Sequence, residues 1–138
     1  MTETIFISER LINNAISMLE LYQTQYTQTD KLWGYFGTVT LAVLAFSLGS
    51  EKATKSMKEA GIIIIGYLVF CFGNYSALYK AQAQLIEFST YASNAAKLAG
   101  IPFKHLAPFE LAWLTGFYWC VVAAVSIGII LITRWRST

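Results

Sequence analysis

Charge is scarce in this chain. Asp, Glu, Lys and Arg make up only 13% of the 138 residues, while 56% are hydrophobic. That charged fraction is about half of what a soluble domain carries. The net charge of +2 is small, and no basic stripe or RNP-like motif is present, which argues against a nucleic-acid partner. Cysteine is nearly missing as well. Cys71 and Cys120 give neither a disulfide framework nor a metal spacing, and both fall in oily runs, where a free thiol behaves as a small hydrophobe.

Catalytic groups are equally sparse. His105 is the one histidine, with no carboxylate or cysteine at ligand spacing, and reads as an ordinary loop residue. There is no Gly-rich phosphate loop, no nucleophile elbow and no acid pair inside an apolar run. The sequence therefore predicts no enzyme, no metal and no cofactor. It matches no motif set that identifies a family.

What is present in quantity is uninterrupted apolar sequence. Residues 32–50, 60–79 and 111–133 contain no charge. A helix needs about 20 apolar residues to cross about 30 Å of hydrocarbon. Three such runs leave too little polar sequence to cover a soluble core, so the bilayer is the expected partner. The first 31 residues carry Glu3, Glu9, Arg10, Glu20, Asp30 and Lys31 and no apolar core, so no cleaved signal peptide is expected. Trp33, Tyr35, Tyr75, Tyr79 and Trp113 fall near one membrane face, and Trp135 beside Arg134 and Arg136 marks the other. Orientation stays open: Lys and Arg divide five against five between the two sides.

The second apolar run does not stop at the membrane boundary. Leu78, Ala81, Leu85, Phe88, Ala92, Ala95 and Ala99 alternate spacings of three and four, a heptad seam. This predicts one helix from about Ala60 to Leu98, ended by Gly100 and Pro102. Ile12, Ala15, Leu19, Tyr22 and Tyr26 repeat the pattern, predicting a first helix over Thr4 to Ser50. The two seams are expected to meet in an antiparallel hairpin outside the bilayer, with Ile5, Phe6 and Ile12 filling the space left by Ala92, Ala95, Ala96 and Ala99. The alternative is that residues 4–26 lie flat on the headgroups.

The expected fold is thus an all-α membrane protein with three transmembrane helices, helices 1 and 2 being extended beyond the bilayer. It is laid out as a single membrane domain: residues 1–31 amphipathic extension, 32–50 first span, 51–59 loop, 60–79 second span, 80–99 extension, 100–110 Pro-containing linker, 111–133 third span and 134–138 basic tail. In the linker, Phe103, Leu106 and Phe109 are candidates to dip back toward the membrane.

Each span also carries a stripe of small residues: Gly34, Thr38, Ala42, Ala45 and Gly49 in the first, Gly66, Gly73, Ala77 and Ala81 in the second, and Ala112, Gly116, Cys120, Ala124 and Gly128 in the third. Small residues let helix backbones approach closely in lipid. The stripes serve either packing within the chain or contacts between copies. No ionisable residue sits inside a span, which argues against a proton-coupled carrier. An oligomeric pore remains open, with Thr38, Thr40, Ser47, Asn74, Ser76, Thr115 and Ser126 as candidate polar contacts. Cys71 and Cys120 fall at similar depth and are candidates to touch. Two functions follow: a homo-oligomeric channel or pore-like membrane effector, or a non-conducting adaptor that docks a soluble protein partner through the hairpin. The expected location is the cell membrane (the inner membrane, for a bacterial chain). A few spans with a helical extension also describe many small bacterial membrane proteins, pore-forming effectors among them; that is an analogy of architecture only.

Overall fold

The computed structural model describes residues 1–101 and 106–138. The expectations for Pro102, Phe103 and His105 fall outside the described residues. The chain forms three helices: α1 (Thr2–Gly49), α2 (Met57–Leu98) and α3 (Leu111–Ser137). No strand occurs among the described residues, and all three helices are long and apolar enough to cross a membrane. At 1.5 Å per residue, the 48, 42 and 27 residues give rods of about 72, 63 and 40 Å. The two prolines are residues 102 and 108, so none removes a hydrogen bond from α1 or α2.

The helix boundaries have local causes. Helix α2 starts at Met57 rather than Ala60 because Ser56 and Glu59 form a capping box. The Ser56 backbone N–H and hydroxyl both donate to Glu59 Oε2, at 2.9 and 2.6 Å, and the Glu59 N–H returns to Ser56 Oγ at 3.4 Å. At its other end, Gly100 takes φ +70°. Its N–H donates to the Lys97 carbonyl at 3.1 Å, and the Ile101 N–H reaches the Ala96 carbonyl at 2.9 Å. This is the Schellman pattern, and its left-handed residue favours glycine. Helix α1 begins at Thr2, earlier than Thr4, and α3 runs to Ser137, so residues 134–137 of the expected basic tail are the last turn of a helix.

The chain packs as two compact units: Met1–Asp30 with Lys80–Leu111, and Lys31–Tyr79 with Ala112–Thr138. In the first unit, Ala81, Leu85, Ala92, Ala95 and Ala96 of α2 are buried, with Phe88 half-buried. The facing side of α1 matches the expected seam only at Ala15, Leu19 and Tyr22. Ile12 and Tyr26 are 39% and 56% exposed, and Ile5 and Phe6 are also exposed. The inward positions are Leu11, Ala15, Met18, Tyr22, Gln25 and Thr29, with Leu19 half-buried beside them. Gln25 turns inward because its amide donates to the Ala81 carbonyl at 3.1 Å. Also in this unit, the Gln82 amide donates to the Phe109 carbonyl at 2.8 Å.

In the second unit the core is made of large side chains. Phe36, Tyr67, Leu78, Leu114, Tyr118, Val122, Val125 and Ile129 are buried together with Cys71. Phe36 stacks on Tyr118 at 4.2 Å between centroids, and Trp33, Tyr75 and Trp119 surround the same ring.

Two substitutions test the boundaries of α2. Gly100→Ala forces a left-handed alanine and is expected to cost about 1 kcal/mol. Ser56→Ala removes one side of the capping box and is expected to cost about 1 kcal/mol. Denaturant titration in detergent reads both.

Candidate functional site: a buried polar seam and outward small-residue faces

Tyr118 of α3 is completely buried. Its hydroxyl donates to the Cys71 carbonyl at 2.8 Å and to Asn74 Oδ1 at 3.1 Å, both on α2. One proton shared between two acceptors makes this a three-centre bond. The Asn74 amide in turn donates to the Leu32 carbonyl of α1 at 3.2 Å. One phenol and one amide thus link all three helices. Two further pairs lie in the same unit: Thr40 with Tyr67 at 2.9 Å, and Tyr75 with Thr115 at 2.8 Å. In an apolar surrounding each such group needs a partner, because leaving one unsatisfied costs several kcal/mol.

This seam uses up three of the pore candidates. Thr40, Asn74 and Thr115 point into the protomer and are hydrogen-bonded there. Thr38 and Ser76 are exposed. Among the described residues, the buried Ser47 and Ser126 hydroxyl oxygens have no hydrogen-bond partner. Cys71 is buried and Cys120 exposed, both as free thiols, so the two do not pair.

The small-residue stripes face the other way. Gly34, Thr38, Ala42, Ala45 and Gly49 are exposed, as are Gly66, Gly73, Ala77, Ala112, Gly116, Cys120 and Ala124; Gly128 is half-buried. Ala81 is the exception and is buried. A Cβ placed on any of these glycines would meet no atom within 4 Å. Packing within the chain therefore does not account for them. Large aromatic and branched residues fill the interior, and the narrow faces are left outside.

A third feature was not visible in the sequence. Arg136, near the end of α3, reaches the C-terminus of α1. Its Nη1 faces the Ser47 carbonyl at 3.1 Å, the Ser50 carbonyl at 3.2 Å and the Thr54 hydroxyl at 2.6 Å, while Nη2 donates to the Leu48 carbonyl at 2.6 Å. The last carbonyls of a helix lack internal partners and carry its negative dipole end, so a cation there is doubly favourable. The signal in sequence was only an arginine just past an apolar run. Nothing local says which helix it will cap.

Among the described residues, no group of three or more His, Cys, Asp or Glu side chains converges. No protein-family model, curated protein or solved structure matches the chain.

Arg136→Gln withdraws the guanidinium from the Leu48 and Ser50 carbonyls and the Thr54 hydroxyl and is expected to destabilise the fold by about 1–3 kcal/mol. Hydrogen exchange should rise over residues 47–54 and remain unchanged over 85–98.

Proposed function

We propose that this chain is a non-catalytic, multi-pass membrane protein that assembles with copies of itself into a pore-like membrane effector. The observation that carries the reading is the outward placement of small residues on all three helices of the second unit. In lipid the hydrophobic effect does not drive helices together, and close backbone packing must do so. A helix face of Gly, Ala and Cys at spacing four, such as Ala112, Gly116, Cys120 and Ala124, suits that packing. Facing lipid alone, it would gain little from being narrow. In this reading the second unit lies in the hydrocarbon. The first unit forms the hairpin in water, where Gln25 and the alanine seam belong. Thr38 and Ser76, not engaged by the internal seam, are the hydroxyls available to line a conduction path.

A second reading is favoured by a separate observation. Ile5, Phe6, Ile7, Ile12 and Ile16 of the first unit are exposed. An adaptor would use that apolar surface to hold a soluble protein at the membrane.

Mass measurement in detergent separates the two. The pore reading predicts a homo-oligomer that Gly116→Leu with Ala124→Leu reduces to monomers, together with ion conductance in planar bilayers that the same double variant abolishes. A monomeric wild-type particle that passes no ions overturns it. The adaptor reading predicts no conductance and a bound soluble protein that Ile5→Asp with Ile12→Asp releases.

A further inference from the structure

We infer that the basic cleft formed by residues 51–55 and the end of α3 binds the phosphate of an anionic phospholipid headgroup. The cleft measures about 510 Å³ and is lined by Glu51, Lys52, Lys55 and Arg136. Three cations against one carboxylate leave it with a net charge of +2. Among the described residues, the ammonium group of neither lysine makes a hydrogen bond or ion pair, and both residues are exposed; their one bond is from the Lys55 backbone N–H to the Lys52 carbonyl at 3.5 Å. Arg136 is held by carbonyls and a hydroxyl, with no carboxylate among its hydrogen-bond partners. Those contacts are made by Nη1 and Nη2; the Nε–H has no partner among the described residues, and a guanidinium N–H suits a phosphate oxygen.

The cleft's place along the sequence names the source of the phosphate. It sits where the charge-free runs of α1 and α3 end, at residues 50 and 133. Trp135, 80% exposed, precedes Arg136 in the chain and suits an interfacial anchor. With the apolar runs in hydrocarbon, this is the depth of the lipid phosphates. Basic pockets between spans at that depth select anionic lipids. Glu51 adds a preference: it repels a second phosphate and can accept from a headgroup hydroxyl, as phosphatidylglycerol would supply. The inference rests on the membrane reading above, not on the pore.

The test is native mass spectrometry of the intact protein in detergent, titrated with phosphatidylglycerol or phosphatidylcholine, with glycerol 3-phosphate as a soluble competitor. Flotation with liposomes is run in parallel. The expected result is flotation, preferential retention of phosphatidylglycerol and no displacement by glycerol 3-phosphate. Lys52→Gln with Lys55→Gln should weaken retention roughly thirtyfold. The exposed Lys97→Gln, in the other unit, should leave it unchanged. Equal retention of the two lipids, or undiminished selectivity in the double variant, overturns the site while leaving the membrane reading intact. Displacement by glycerol 3-phosphate overturns the lipid assignment in favour of a soluble phosphate ester. Failure to float overturns the membrane reading and the site together.

Discussion

The Tyr118 hydroxyl is the contact on which the second unit depends. It holds α3 to the Cys71 carbonyl and the Asn74 side chain of α2, and Asn74 holds α2 to the Leu32 carbonyl of α1. Contacts between apolar side chains tolerate sliding, because one apolar contact replaces another. Hydrogen bonds do not tolerate it, since a displaced phenol or amide in this buried core loses its partner. The seam therefore sets the rotation of each helix. With Tyr118 turned in, Val122, Val125 and Ile129 follow it inward, and Gly116, Cys120 and Ala124 must face out.

That rotation separates two tasks. The polar groups on the inside stabilise one protomer: Thr40, Asn74 and Thr115 are hydrogen-bonded to their own chain. The narrow faces on the outside remain open to another helix. Arg136 supplies a second fixed point by capping α1 from the end of α3. The two ties use different physics. One is a neutral three-centre bond in an apolar core; the other is a cation against the negative end of a helix.

Much of the fold was legible in the sequence. Three charge-free runs announced three helices, and Gly100 with its positive φ ends α2 where the glycine pattern predicted. The α2 seam was also legible, because its alanines and Leu85 repeat at heptad spacing. The facing side of α1 was legible in part: of the expected seam Ala15 is buried and Leu19 and Tyr22 half-buried, while Ile12 and Tyr26 are exposed and Gln25 and Thr29 are buried instead. Part of the reason is polar: Gln25 satisfies its amide on the Ala81 carbonyl, which turns it inward. The early start of α2 was readable in Ser56 and Glu59, a capping box that an eye set on charge-free runs passes over. The candidate site was half legible. Asn74 stood out as an amide inside a span, but its partners depend on how helices 42 or more residues apart in sequence are rotated, which no local pattern encodes.

The central claim is that Asn74 and Tyr118 act together to fix this rotation. A double-mutant cycle measures it directly, with Asn74→Ala, Tyr118→Phe and the pair compared by unfolding in micelles. The account predicts a coupling of about 0.5–1.5 kcal/mol, the range of interhelical hydrogen bonds in membranes. Strictly additive losses would contradict it and release α3 from the rotation described.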